Sequence, residues 1–285
     1  MSDSHVIRRL LASSAQQLGG AASRVDAELL LAHALDRSRA WLYAHADEHV
    51  DDPSLARFEE LLAARLEGTP IAYLLGQREF WSLPLQVNRQ TLIPRPETEL
   101  LVELSLGKIA PDRCVTVLDL GTGSGAIALA IACERPLAQV LAVDVSPGAL
   151  AVAQVNGDAL HELGASLASV EWMQSDWFSA LSGRRFDVIA SNPPYLAEDD
   201  PHLQTGDLRF EPRSALASGA DGLDAIRQII SSAPEYLTTG GWLLLEHGWT
   251  QGAVVRNLLV AAGFGFVATH RDLEDRERVS CGRRD

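Results

Sequence analysis

From about residue 96 onward, short apolar runs alternate with longer stretches of helical periodicity, and this rhythm constrains the chain more than any other feature. V-T-V-L-D-L (115–120), V-L-A-V-D-V (140–145), V-E-W-M (170–173), F-D-V-I-A (186–190) and W-L-L-L-E (242–246) each have the length of a strand. Parallel strands need long crossovers, usually helical, so the alternation predicts an α/β domain on a mostly parallel sheet. Near the end the rhythm changes. G-F-V-A-T-H-R-D (265–272) and R-V-S-C-G-R (278–283) flank a charged turn and predict a terminal antiparallel pair. The polar stretch from Leu196 to about Asp224 is longer than an ordinary connection, which predicts either a mobile lid or a poorly ordered loop.

The first eighty or so residues read as helices. D-A-E-L-L-L-A-H-A-L (26–35) gathers apolar positions on one face and places acids near its start. A second helix is expected with Asp52 as its cap, Pro53 in its first turn, Leu55, Phe58, Leu61, Leu62 and Leu66 at helical spacing, and Gly68 at its end. A short helix is expected from Pro70, and E-F-W-S-L-P-L-Q-V (79–87) reads as a hairpin. The expected organisation is therefore a helical domain over 1–78, a hairpin linker over 79–95 and an α/β domain over 96–285.

With 47% hydrophobic residues, 285 residues can bury a substantial core. The longest apolar stretches, such as A-I-A-L-A-I-A (126–132), fall short of a membrane span, and the opening M-S-D-S-H-V-I-R-R-L-L lacks a signal-peptide core, so a cytoplasmic protein without membrane association is expected. A net charge of -14 opposes broad attraction to phosphate backbones. Cys114, Cys133 and Cys281 are few and widely spaced, which predicts neither a disulfide framework nor a metal site. Lys108 is the sole lysine among 24 Lys and Arg residues, leaving almost no candidate for lysine-nucleophile chemistry.

After the first strand comes D-L-G-T-G-S-G, where Gly121, Gly123 and Gly125 allow a tight turn and close ligand approach before a helix. Asp144, at the end of the next strand, stands at the interval at which an acid accepts hydrogen bonds from ribose hydroxyls. This much fits NAD as well as S-adenosylmethionine. S-D-W-F (175–178) follows the third strand, where Trp177 can face an adenine ring and the Asp176 region can offer it acceptors; simple core filling is the alternative for this tryptophan.

The fourth strand runs into S-N-P-P-Y (191–195), and two prolines can neither donate to a sheet nor continue a helix. A planar NH2 group attacking an electrophilic methyl needs acceptors for both N–H bonds. The Asn192 side-chain oxygen can take one and the Pro193 carbonyl the other, while Pro194 stiffens the turn and Tyr195 covers the flat face of the substrate. Such a site works by orientation and electrostatics rather than by a strong base.

These motifs resemble the Asn-Pro-Pro-Tyr class of S-adenosylmethionine-dependent amino methyltransferases. Within it, G-T-P-I-A-Y-L-L-G (68–76), E-F-W-S-L-P-L, T-L-I-P-R-P-E-T-E (91–99), D-L-G-T-G-S-G, S-D-W-F, S-N-P-P-Y and L-E-H-G-W (245–249) resemble the bacterial peptide chain release factor glutamine N5-methyltransferases. The resemblance implies a Rossmann-like seven-stranded methyltransferase domain, joined by the hairpin to a small helical domain that helps grip the protein substrate. It implies that Gly121, Thr122, Gly123, Ser124, Gly125, Asp144, Trp177 and Asn192 contact S-adenosylmethionine, which leaves as S-adenosylhomocysteine. It further implies that Asn192, Pro193, Pro194 and Tyr195 hold the glutamine of a Gly-Gly-Gln loop in class-1 release factors, the expected partner of a monomer that binds no nucleic acid. The alternative is an adenine-N6 or cytosine-N4 nucleic-acid methyltransferase, since an exocyclic base amine offers the same two donors after flipping.

Other polar groups carry less. Arg95, Glu97 and Glu99 make a helix opening, with a further role at the pocket left open. His45 and His49, four apart beside Asp47, Asp51 and Asp52, have the spacing of a metal pair but no further ligand set, and read as a solvated segment. Glu246 and His247 could line the far side of the site but read first as a satisfied pair at a strand end, Ser124 occupies no nucleophile elbow, and Glu198, Asp199 and Asp200 read as solvated loop residues.

Overall fold

A computed structural model describes residues 5–285; the first four residues of the opening stretch lie outside it. The chain forms two compact units, Met1–Gln77 and Arg78–Asp285.

The first unit is helical: α1 (Ile7–Leu18), α2 (Ser23–Leu35), α3 (Arg39–Ala44), α4 (Asp52–Leu66) and α5 (Ile71–Leu75). Their apolar faces close one core, in which Ile7 and Leu11 meet Leu30, Leu31, Leu42, Leu55, Phe58 and Leu62. The α4 cap differs by one residue from expectation. Asp51 rather than Asp52 has the extended backbone of a cap, and its carboxylate accepts the Ser54 amide at 2.9 Å. Asp52 already lies in the first turn, where its charge favours the helix N-terminus. Among the described residues of this unit one acid is buried: Glu28, held by Arg24 (3.0 Å), Arg39 (2.5 Å) and Tyr43 (2.6 Å). Charge-assisted hydrogen bonds of this kind compensate the desolvation of the carboxylate.

The second unit opens with the hairpin β1 (Gln77–Phe80) and β2 (Leu83–Gln86). A 3-10 turn, Pro96–Thr98, leads into α6 (Glu99–Leu106). Then follow β3 (Thr116–Leu120), α7 (Ala126–Glu134), β4 (Gln139–Asp144), α8 (Pro147–Glu162), β5 (Ser169–Gln174), β6 (Phe186–Ser191), α9 (Asp224–Tyr236), β7 (Leu237–Glu246), α10 (Gly252–Ala261), β8 (Phe264–Arg271) and β9 (Glu277–Arg284). The seven-stranded sheet has the order β5-β4-β3-β6-β7-β9-β8, parallel through β7, with β9 antiparallel to both its neighbours.

Both faces of this sheet are covered, and the strand side chains alternate between two cores. Val117, Val140, Ala142, Val188 and Ala190 face one core with α6 and α7, while Leu118, Leu141, Val143, Ile189 and Leu243 face the other with α9 and α10. A strand buried on both faces reads as a continuous apolar run, which is why these segments showed length but little alternation in the sequence.

The stretch 196–224 is not a poorly ordered loop in the structure. It holds three 3-10 turns, Pro201–Gln204, Gly206–Phe210 and Arg213–Ala215, and returns to the sheet edge through a bridge between Leu196 and Ala217. Its one buried acid, Glu211, ties it down by accepting the Ile93 amide at 3.0 Å and pairing with Arg95.

Candidate active site

The chain crosses from β3 to β4 on one side and returns to β6 on the other, so connections diverge beside β3 and leave a crevice at the carboxyl edge. The glycine loop, Asp144, S-D-W-F and S-N-P-P-Y gather along that edge.

The glycine loop follows β3 directly. The Gly121 and Thr122 amides both donate to the Val143 carbonyl, each at 2.9 Å. Gly121 has φ 72°, and a Cβ there would lie 3.6 Å from the Trp177 ring. Gly125 caps α7 at φ 83°, with Leu129 and Trp172 both 3.1 Å from the place of a Cβ, so close packing and backbone shape both demand glycine. Beneath the loop lies Asp119, fully buried. Its Oδ2 accepts the Thr122 hydroxyl (2.6 Å) and the Ala128 amide (3.2 Å), while Oδ1 meets no donor among the described residues. Burial pushes its pKa up to about 7 against the pull of these donors.

Asp144 ends β4, where Oδ2 accepts the Gly123 amide and Oδ1 the Ser146 amide, each at 2.9 Å. Burial raises its pKa, and those two amides oppose the rise. After β5, the Ser175 hydroxyl donates to the Trp177 carbonyl at 2.8 Å and accepts the Ala180 amide at 3.1 Å. This local turn holds Trp177 at φ 48° beside Gly121.

After β6, Pro193 is buried, while Asn192, Pro194 and Tyr195 are half-buried. Asn192 Nδ2 donates to the Thr98 hydroxyl at 3.1 Å, which leaves Oδ1 without a donor among the described residues. The Tyr195 hydroxyl donates to Glu246 Oε1 at 3.3 Å, and burial, then the Glu246 charge, raises the phenol pKa. The backbone here is clamped: Gln251 Nε2 donates to the Tyr195 carbonyl at 3.0 Å, and Gly222 packs so closely that a Cβ would lie 2.2 Å from that same oxygen.

Three cavities meet at Asn192 and Leu92. One of about 260 Å³ is lined by Gly121, Gly123, Asp144, Ser175, Asp176, Trp177 and Pro194. A narrow one of about 40 Å³ reaches Thr122, Ser124, Thr98 and Arg95. The third, about 130 Å³, is bounded by Tyr195, Arg95 and the leucines at 196, 208 and 216. Gly125 and Pro193 line none of the three; the first shapes the loop and the second is packed away.

Several residues outside the expected set take part. Thr98 and Glu246 support Asn192 and Tyr195, and Glu211 fixes Arg95 at the mouth of the two smaller cavities. Asn156 joins β2 to the glycine loop: its amide donates to Gln86 O (3.0 Å) and Ser124 O (2.9 Å), and its oxygen accepts the Gln86 amide (2.6 Å). Glu99 turns from the cavities and accepts the Trp81 amide at 2.9 Å. His247 is buried and engaged by Gly248 O (2.9 Å) and Ser280 Oγ (2.8 Å). In the helical unit His45 stacks on Trp41 with ring centroids 4.0 Å apart, and no cluster of three metal-ligating side chains occurs among the described residues.

With this geometry in place, two domain profiles match the chain: the PrmC N-terminal domain over residues 9–76 and the methyltransferase small domain over 97–211. The release factor glutamine methyltransferase of Xylella fastidiosa (strain 9a5c) is 56% identical over 260 residues, spanning 91% of this chain and 93% of that protein. The chain belongs to the release factor glutamine methyltransferase family. A second member, from Escherichia coli (strain K12), is 49% identical over 260 residues, 91% of this chain and 92% of its own. Among solved structures, a methyltransferase from Pyrococcus furiosus superposes with a TM-score of 0.51 at 16% identity, covering 70% of this chain and 88% of that one, a likeness of fold. The family accounts for the pairing of a helical unit with a Rossmann-like methyltransferase unit.

Proposed function

We propose that this chain transfers the methyl group of S-adenosylmethionine to the side-chain nitrogen N5 of the glutamine in the Gly-Gly-Gln motif of class-1 release factors. The observation that carries this reading is the Asn192 amide, whose nitrogen is committed to Thr98 and whose oxygen is free at the junction of three cavities.

The residues present fit the donor. Gly121, at φ 72°, lies under the Trp177 ring, and Asp144 opens onto the same cavity. These, with Gly123, would hold the nucleoside part, and Thr122 and Ser124 border the narrower extension. When bound, S-adenosylmethionine supplies a methyl group on a sulfonium sulfur.

The protein's own contribution is orientation. A carboxamide nitrogen is a weak nucleophile because its lone pair is delocalised into the carbonyl. In this reading Asn192 Oδ1 accepts one of its two N–H bonds and the carbonyl of Pro193, a residue otherwise packed away from the cavities, accepts the other, which orients the nitrogen and stabilises the positive charge that develops on it. Tyr195 and the leucine wall make the 130 Å³ cavity largely apolar, and dipoles act more strongly there than in bulk solvent.

The same reading places the helical unit against the release factor, divides the chain as 1–78, 79–95 and 96–285, and has it act as a cytoplasmic monomer on protein rather than nucleic acid. The net charge of -14 supports the last point, and no helix among the described residues is long and apolar enough to cross a membrane. Incubation with labelled methyl donor and purified release factor, followed by mass spectrometry of the product, tests the assignment. Label on the Gly-Gly-Gln glutamine is expected; label on DNA or RNA but not on protein would overturn it.

A further inference from the structure

Part of the wall of the 260 Å³ cavity comes from neither the sheet edge nor the Asn-Pro-Pro-Tyr turn. Arg89, Gln90, Thr91 and Leu92, in the strap that leaves β2, line it together with Gly121, Gly123 and Asp144. The strap hangs from the two-stranded sheet of β1 and β2, which is not laddered to the seven-stranded one. One side chain hydrogen-bonds to both the end of β2 and the glycine loop. Asn156, within α8 and 1% exposed, accepts the Gln86 amide on Oδ1 at 2.6 Å and donates Nδ2 to the Gln86 carbonyl at 3.0 Å. A neighbouring strand exchanges the same two backbone groups, so this side chain serves as a one-residue partner to the open edge of β2. Nδ2 gives its second hydrogen to the Ser124 carbonyl at 2.9 Å.

One N–H and two carbonyls demand one acceptor and two donors on a single planar group, and a carboxamide supplies that set. Turned end for end, the amide would set its oxygen against both carbonyls, so its three partners fix its orientation. The strap meets α8 a second time where Gln90 lies on Gly148: a Cβ at Gly148 would stand 2.5 Å from Gln90 Oε1. The first turn of the same helix borders the cavity through Ala149. One helix therefore carries the strap at two points and the glycine loop at a third. We propose that Asn156 is a positioning residue for S-adenosylmethionine: it holds the strap and the Ser124 carbonyl at a fixed separation and so sets the width of the cavity that takes the nucleoside. Asn156 itself lines none of the three cavities and acts only through Gln86 and Ser124. A strap already in place binds without the cost of being ordered by the ligand, whereas a loosened one adds that cost to every binding event. The inference concerns the methyl donor alone and holds whichever acceptor receives the methyl.

Asn156→Leu keeps a similar volume without any of these hydrogen bonds. Asn156→Asp keeps the acceptor for Gln86 but turns a second oxygen on the two carbonyls, and it decides the matter alone should the leucine variant not fold. Leu259→Ala, in the core on the other face of the sheet and bordering none of the cavities, is the control for lost stability by itself. Calorimetry of the full-length proteins with S-adenosylhomocysteine, well below their melting temperatures, reads the affinity of the folded state. Both Asn156 variants are expected to bind about tenfold or more weakly, and the control to stay within about twofold of wild type. Hydrogen exchange without cofactor is expected to quicken in 86–92 for the Asn156 variants and not for the control. At saturating S-adenosylmethionine, single-turnover transfer to purified release factor is expected to stay within about threefold of wild type, because the contacts of Asn192 are untouched. A wild type that methylates no release factor refutes the acceptor assignment and leaves the calorimetric result standing. Affinity within about twofold of wild type in the Asn156 variants overturns the proposal. So does a control that weakens as much as they do, or a saturated rate that falls as far as the affinity, since either pattern marks a general loss of structure.

Discussion

Glu211 Oε2 accepts the backbone amide of Ile93 at 3.0 Å, joining segments that stand 118 residues apart. The same carboxylate pairs with Arg95, so one buried acid ties the long connection after β6 to the segment that borders the cavities. Glu211→Ala leaves the Ile93 amide and the Arg95 guanidinium without this partner, and is expected to cost about 1–3 kcal/mol in denaturant unfolding. Hydrogen exchange should quicken in 91–95 and 205–216. Unchanged exchange there would mean that the connection is held by other contacts.

Asn192 and Asp144 line the same cavity but face different tasks. Asn192→Ala removes an acceptor whose value rises as nitrogen becomes positive, so the transfer rate should fall by about two to three orders of magnitude with little change in cofactor affinity. Asp144→Ala removes a ground-state contact and should mainly weaken cofactor binding. Calorimetry beside single-turnover rates separates the two, and equal losses in both quantities for both variants would contradict the division of labour.

Gly125→Ala tests the loop without touching a ligand group. The residue sits at φ 83°, and the new methyl would meet Leu129 and Trp172 at 3.1 Å and Ala153 at 3.2 Å. Left-handed backbone costs about 1–2 kcal/mol outside glycine, and overpacking adds about 1–3 kcal/mol. A fall in unfolding free energy of at least about 2 kcal/mol is expected; the same change at Gly123, where nothing lies within 4 Å, should cost only the backbone share.

The strands and the glycine loop were legible because each is a local pattern. Apolar runs bounded by turns, and glycines at a strand-to-helix junction, declare themselves within a dozen residues. Thr98, Asn156 and Glu211 were not legible, since each acts through a partner 70 to 118 residues away and looks locally like a helix opening, a helix interior and a polar loop. The cap of α4 was misplaced by one residue because two adjacent aspartates carry the same propensity, and only the Asp51 contact to Ser54 separates them. Glu211 also bears on why 196–224 read as a lid or an unordered loop: its composition is polar, and its order rests on one buried acid together with the buried Leu203 and Leu216 and the bridge between Leu196 and Ala217. Asp119 gave a sign that went unused, for an acid inside an otherwise apolar strand must find donors or hold its proton.

That acid has a pH signature. Burial raises the Asp119 pKa from an ordinary 3.8 to about 7 in the folded chain. Between those two values the folded state keeps a proton that the unfolded state has released, so raising the pH draws the equilibrium toward unfolding. The stabilising share is complete below pH 3.8, drains away as pH rises, and is gone above about 7. Asp119→Asn cannot titrate, yet its amide oxygen can still accept from Thr122 and Ala128. The stability of the wild type minus that of the variant should therefore fall as pH rises from 4 to 7, with a slope approaching about 1.4 kcal/mol per pH unit, and then level off. Glu246, also raised to about 7, titrates in both proteins and cancels in the difference. Denaturant unfolding at half-unit steps of pH gives the curve. A difference that stays constant across this range would mean that Asp119 is ionised throughout, and that donors at Thr122 and Ala128 outweigh its burial.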